Sequence, residues 1–218
     1  MIRFSYLLLI CILCSCKKSP QLFRQIRAEQ SGIQFSNIVK ESPELNILNY
    51  EYMYNGGGVG IGDFNKDSLP DIYFTGNLVT NKLYLNKGNL QFEDVSAKAG
   101  IPQDSSWSTG VSVVDINNDG LLDITVAGLD AKANPVSKFY LNQGGFGNFT
   151  LAKIAGVPQL SNSAISWGDA NGDGSMDLVL SGNKAVGSST GIYLNNQGEN
   201  GNKAPSQPSN LRFIDQGQ

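Results

Sequence analysis

Short apolar runs recur along this chain, each bounded by glycine or by a turn rich in aspartate and asparagine. The plainest alternate apolar and polar positions: Lys82-Leu83-Tyr84-Leu85-Asn86, Lys138-Phe139-Tyr140-Leu141-Asn142 and Gly191-Ile192-Tyr193-Leu194-Asn195. Ahead of each lies a β-branched or aromatic run, starting at Ile72, Ile124 and Leu178 and ending in Gly76, Gly128 and Gly182. Ahead of those come small-residue segments at 59–62, 111–114 and 165–168. A last extended piece follows at 90–95, 147–152 and 211–215. Two-residue periodicity with β-branched and aromatic residues predicts strands. Four short strands per repeat of roughly fifty residues predicts β-propeller blades. The expectation is an all-β chain, a partial propeller of about three four-stranded blades at 57–95, 110–154 and 164–215, inside a repeat region 31–218. Closed propellers have about four to eight blades, so three form an open arc, and the expectation is a fragment or a protomer completed by association. The piece 33–38 resembles 90–95 and reads as an extra outermost strand ahead of the first blade.

Between the first and second strand of each repeat lies one loop: Asp63 to Asp71, Asp115 to Asp123, and Asp169 to Asp177, with first residues 52 and 54 positions apart. Oxygen-bearing side chains fall at positions 1, 3, 5 and 9 of each loop. Calcium takes about six to eight oxygen ligands and tolerates irregular geometry. The expected set is three calcium sites. Asp63, Asn65, Asp67, the Leu69 carbonyl and Asp71 form the first. Asp115, Asn117, Asp119, the Leu121 carbonyl and Asp123 form the second. Asp169, Asn171, Asp173, the Ser175 carbonyl and Asp177 form the third. Position 6 is Gly120 and Gly174, where a sharp turn calls for positive φ; Ser68 stands there in the first loop, which is therefore expected to be the weakest or most distorted. Position 12 is Phe74, Val126 or Leu180 inside a strand, so the loop is not an EF-hand, which needs glutamate there. The loops hold no His or Cys, which argues for a hard cation.

These loops, with an apolar strand after each, resemble the FG-GAP/VCBS-type repeats of integrin α propellers and bacterial surface proteins. Tyr54-Asn55 through Asp63 and the Tyr-Leu-Asn elements are similar to bacterial FG-GAP-like lipoproteins of the ASPIC/UnbV-associated group, over about residues 31–218. The dipeptides that name the family are replaced by Tyr54-Asn55 and Gly76-Asn77, and no ASPIC/UnbV segment is present.

Residues 1–15 read as a secretory signal: Arg3 ahead of an apolar stretch too short to span a bilayer. Leu13-Cys14-Ser15-Cys16 resembles a bacterial lipobox with Cys16 as the lipidated residue, followed by a polar tether 16–30. All three cysteines lie in this region, so the expected mature chain has neither disulfide nor thiol nucleophile. This predicts an exported protein, lipid-anchored at the outer membrane or cell surface. Net charge is −3, and nine of the nineteen acidic residues sit in the loops, so three calcium ions would bring it to +3. No basic stripe supports nucleic-acid binding.

The chain has no histidine and no recognisable nucleophile–base set. The expected function is a non-enzymatic, calcium-stabilised binding or scaffold module for a glycan or protein. The alternative is a calcium-dependent polysaccharide lyase or other propeller enzyme, with Tyr50, Tyr52, Tyr54, Trp107 and Trp167 as candidate site residues. Interblade packing is the safer assignment for the two tryptophans.

Overall fold

The computed structural model describes residues 21–43, 45–145 and 148–195 and the backbone of Phe213–Asp215. The signal at 1–15 and Cys16 lie outside the described residues. The chain opens with one helical turn, α1 (Ala28–Ser31), which ends on Gly32 at φ 77, its N–H donating to the Ala28 carbonyl. Among the described residues twelve strands then form three antiparallel four-stranded meanders. The first holds β1 (Val59–Gly62), β2 (Asp71–Phe74), β3 (Lys82–Asn86) and β4 (Phe92–Asp94). The second holds β5 (Trp107–Val114), β6 (Asp123–Leu129), β7 (Pro135–Asn142) and β8 (Phe149–Ala152). The third holds β9 (Ser161–Gly168), β10 (Asp177–Asn183), β11 (Ser188–Asn195) and β12 (Phe213–Asp215). The architecture is the expected partial propeller of three blades. Among the described residues no helix is long and apolar enough to cross a membrane.

β5 lies between β1 and β9, so the inner strands stack in chain order. Each blade has a trailing face toward the next blade and a leading face toward the one before. Phe64, Tyr73, Leu83 and Leu85 on blade 1's trailing face bury against Ile124, Val126 and Tyr140 on blade 2's leading face. One repeat later, Ile116, Phe139 and Leu141 bury against Leu178, Leu180 and Tyr193. Blade 2 carries apolar side chains on both faces of its strands because it has a neighbour on each side. The inner strands approach closely through small residues: a Cβ on Gly60 would sit 2.7 Å from Val113, and one on Gly62 would sit 2.7 Å from Leu122.

Two expectations change. The piece 33–38 forms no strand. Gly32 and Gly100 share one left-handed pose (φ 77 and 75), each pressed on a carbonyl, Phe92 or Phe149, with 2.6 Å left for a Cβ. Ile33 is therefore the counterpart of Ile101, a residue entering a blade, and its segment lies on blade 1 with Phe35 stacked on Phe74 at 4.9 Å. The inner strands of blades 2 and 3 also begin earlier than expected. Their pairing runs on through register shifts, between Ser108 and Gly110 in β5 and between Ser181 and Asn183 in β10.

Candidate metal loops

Each loop folds around its own side chains, with one hydrogen-bond plan repeated three times. The first aspartate accepts from the amides at positions 5 and 6: Asp67 and Ser68 on Asp63, Asp119 and Gly120 on Asp115, Asp173 and Gly174 on Asp169, all at 2.7–3.1 Å. The asparagine at position 3 accepts from the position-5 amide and donates to the position-5 carboxylate at 2.9–3.0 Å. These are Asx-type turns, which let a side-chain oxygen replace a backbone acceptor. Position 6 is left-handed in every copy (Ser68 φ 68, Gly120 φ 82, Gly174 φ 86), and so is position 4 (Lys66 φ 60, Asn118 φ 56, Gly172 φ 79). Ser68 thus takes the strained conformation foreseen for it. The first loop is nevertheless not distorted, because its hydrogen bonds match those of the second.

The aspartate at position 9 plays a different part. Asp71, Asp123 and Asp177 are fully buried. In each, Oδ2 accepts the position-2 amide (Phe64, Ile116 or Ala170) and Oδ1 accepts the amide of the asparagine ending the third strand (Asn86, Asn142 or Asn195), all at 2.8–2.9 Å. One carboxylate thus ties loop, second strand and third strand together.

Those asparagines were missed as functional residues. Asn142 Nδ2 donates to Leu122 in its own blade and, at 2.8 Å, to the Phe64 carbonyl of the blade before. Asn195 likewise donates to Met176 and, at 3.1 Å, to Ile116 of the blade before. The readable signal was an asparagine closing each apolar third strand at the same place in the repeat. Neighbouring loops also touch: Asn118 Nδ2 donates to the Gly174 carbonyl at 3.0 Å, and Lys66 Nζ comes within 3.4 Å of the Cβ position at Gly120. The three loops therefore line one end of the arc.

As the loops stand, no group of three or more acidic, Cys or His side chains converges tightly enough to hold a metal among the described residues. The donor set fits a hard cation even so. Every candidate ligand is an oxygen, and a carboxylate oxygen that accepts one N–H keeps a lone pair. The salt bridges of the described residues, such as Lys82–Asp94 and Lys138–Asp104, lie outside the loops. The charge crowding is felt at position 9. Burial first, and then the neighbouring Asp115 and Asp119, raise Asp123 to about 7 against two stabilising amide bonds. Asp71 is raised by the same causes.

The aromatic candidates do not assemble into one cleft. Trp107 is buried at the start of β5, edge-on to Tyr50 at 5.1 Å. Trp167 packs against the core between blades 2 and 3, edge-on to Phe139. Tyr50 spans to blade 3, its hydroxyl donating to Asn162 Oδ1 at 2.8 Å. Tyr54 donates to Glu41 at 2.7 Å, and Tyr52, half exposed, lies edge-on to Tyr50 at 6.0 Å, so that Tyr52, Tyr50 and Trp107 form one row apart from Tyr54 and Trp167.

Residues 53–126 match the family model of the FG-GAP-like repeat, a span that takes in the first two loops. The chain is also similar to cartilage acidic protein 1 of Mus musculus, 31% identical over 100 residues. The same protein of Homo sapiens is 31% identical over 103 residues. Each alignment covers under half of this chain, 46% and 47%, and only 15% of the relative. These curated relatives are animal proteins, which corrects the narrower resemblance to bacterial ASPIC/UnbV-associated lipoproteins. What the matches support is the FG-GAP repeat family, carried by the segment that holds the first two aspartate loops.

Proposed function

We propose that this chain is a calcium-stabilised, exported binding or scaffold module, held at a membrane through a lipid on Cys16, that recognises a glycan or a protein. The observation that carries the reading is the row of three oxygen-lined loops, folded alike and crowded with negative charge, whose carboxylates enter none of the ion pairs found among the described residues. A divalent cation in each would offset the burial, and then the repulsion, that raise Asp71 and Asp123. The position-1, -5 and -9 carboxylates, the asparagine amide oxygens and the carbonyls of Leu69, Leu121 and Ser175 would be its ligands. Its contribution would be rigidity. A ligand that binds only the native state stabilises by about 2.7 kcal/mol at a hundredfold excess over Kd.

The lyase alternative is the weaker one. A tyrosine serving as general base needs a lowered pKa, whereas burial raises Tyr50 and the bond to Glu41 raises Tyr54. Neither the family match nor the relatives' names point to an enzyme. Calorimetric titration with calcium is the test, using the wild type, Asp119→Ala and Asp173→Ala. Three equivalents in the wild type and two in each variant are expected. The absence of calcium-dependent heat overturns the assignment. Cys16→Ala should move the protein from the membrane to the soluble fraction. Release of unsaturated uronate from acidic glycans would instead favour the enzyme.

A further inference from the structure

The junction between blades 1 and 2 holds a cavity of about 590 Å³, inside the range of about 300–1,000 Å³ that small-ligand sites span. Leu85 and Val95, both buried, form its apolar floor. Lys87 and Glu93 of blade 1, Lys98 just after β4 and Asn148 of the β7–β8 turn form its rim. Gly144 also lines it, and a Cβ there would stand 3.7 Å from Leu121 of the second loop, so the cavity opens at the end of the arc that carries the loops. It lies between two neighbouring blades, away from the outer faces of the arc.

One repeat on, the charges of this rim are gone. Glu93 pairs with Leu85 as Thr150 pairs with Leu141, and Lys87 follows Asn86 as Gln143 follows Asn142. Lys98 and Ile154 each stand just before an Ala-Gly pair. Ile154 packs on the core between blades 2 and 3, whereas the Lys98 side chain is 80% exposed. An unpaired ammonium cannot take an apolar side chain's place without losing its hydration, so Lys98 turns outward and leaves that volume open. Stacking alone asks for the same chemistry at each junction. Three charges that blade 2 lacks at the same positions therefore point to a ligand.

The charges are also loosely paired. Glu93 Oε1 lies 3.6 Å from Lys98 Nζ, and its Oε2 lies 3.6 Å from Lys87 Nζ. A charge-assisted hydrogen bond spans about 2.7–2.9 Å, and the closed pairs of this chain, Lys82–Asp94 and Lys138–Asp104, measure 2.9 and 3.0 Å. Both ammoniums thus keep their donors for a ligand, and the carboxylate between them keeps its lone pairs. Two lysines against one glutamate make the rim positive in a chain of net charge −3.

We propose that this cavity binds an acidic sugar unit of a glycan. The lysine ammoniums hold its carboxylate, Glu93 accepts from its hydroxyls, and its apolar ring face lies on Leu85 and Val95. The Asn148 amide serves a hydroxyl as donor or acceptor. A ligand with anionic groups alone would be repelled by Glu93, and a neutral sugar would leave the positive rim unmatched. A carboxylate and hydroxyls on one ring satisfy every group. The inference rests on reading the chain as a binding module and gives that module a place and a ligand class.

The test is fluorescence anisotropy of end-labelled trigalacturonate with the full chain in calcium, with labelled cellotriose as the neutral probe and labelled hexaglutamate as the acidic peptide. Trigalacturonate should bind the wild type more tightly than either. Lys87→Ala and Lys98→Ala should each weaken it about tenfold, the size of one hydrogen bond to a charged group. Lys98→Ile, which copies blade 2, should fill the cavity and abolish binding without lowering the melting temperature. Circular dichroism establishes that each variant folds. No binding of trigalacturonate overturns the proposal, and so does hexaglutamate or cellotriose binding as tightly. Trigalacturonate binding that ignores the three variants also overturns this site, yet leaves the chain a glycan-binding module.

Discussion

Blades 2 and 3 share a loop, a register and a strand order, and differ in their surroundings. Blade 2 has a neighbour on both faces. At its position 2 stands Ile116, fully buried, and its third strand carries Phe139 and Leu141, also buried. Blade 3 has the same hydrogen-bond plan, yet its position 2 is exposed Ala170 and Ile192 is nearly half exposed. The lesson is a division of labour. The turn and the strands are specified inside each repeat, by aspartates that bind their own backbone and by alternation along the strands. The apolar content of the faces is set by what stacks against them, as in other repeat folds where stability is intrinsic terms plus neighbour terms.

The largest expected effect breaks the position-9 clamp where it is buried on all sides. Asp123→Ala leaves the amides of Ile116 and Asn142 without an acceptor. At ~1–3 kcal/mol per unsatisfied buried group, offset in part by no longer burying a carboxylate, the loss should be ~2–4 kcal/mol. Asp177→Ala should cost about half as much, because the Ala170 amide lies beside exposed side chain and can turn to water. Chemical denaturation in chelator measures both. Equal losses would show that the neighbouring blade does not matter to the clamp.

A smaller effect separates the same carboxylates by pH. Asp123 in the fold sits at about 7, raised by burial above its unfolded value. Its protonated form is therefore favoured by folding. That contribution is complete below about pH 4, the ordinary aspartate range, and is lost as pH rises through 7. Metal-free protein should melt at lower temperature at pH 8 than at pH 5, and Asp123→Asn should flatten that slope. Saturating calcium should reverse its sign, since a bound cation holds the carboxylate ionised. A flat metal-free profile would refute the account of Asp123.

Much of this was legible in the sequence, for a physical reason. The loop signature sits on residues that act locally, so Asp63, Asn65 and Asp67 and their copies form the same turn three times, and β1 and β3 have the expected bounds. Strands of blades 2 and 3 begin earlier than expected because bulges near Gly110 and Gly182 carry the pairing past residues that look like breakers. The segment 33–38 was misread because Gln34-Phe35 imitates Gln91-Phe92, while the left-handed glycine before it, which decides its place, has no periodicity. The position-9 clamp was hidden because an aspartate that binds calcium and one that binds two amides are the same letter. The interblade role of Asn142 depends on a carbonyl 78 positions away in sequence, beyond the reach of any local pattern.

The smallest effect sharpens the comparison to one hydrogen bond. Asn86 and Asn142 occupy the same place in their blades. Each oxygen caps the following turn, accepting from Gly88 at 2.9 Å and from Gly144 at 3.0 Å. Each amide reaches the position-8 carbonyl, of Pro70 or of Leu122. Only Asn142 also reaches back to the Phe64 carbonyl. Replacing each by alanine removes the same local bonds, so the difference isolates the cross-blade contact. A net hydrogen bond is worth about 1 kcal/mol, and a buried carbonyl left without its donor costs somewhat more. Asn142→Ala should therefore be ~1–2 kcal/mol more destabilising than Asn86→Ala, measured by urea unfolding at a concentration where the chain is monomeric. Asn195→Ala should fall with Asn142→Ala, because it spans the second junction. If Asn86→Ala proved as costly as the other two, the asparagine would serve its own blade only, and the cross-blade bond would add nothing to the stacking of the apolar faces.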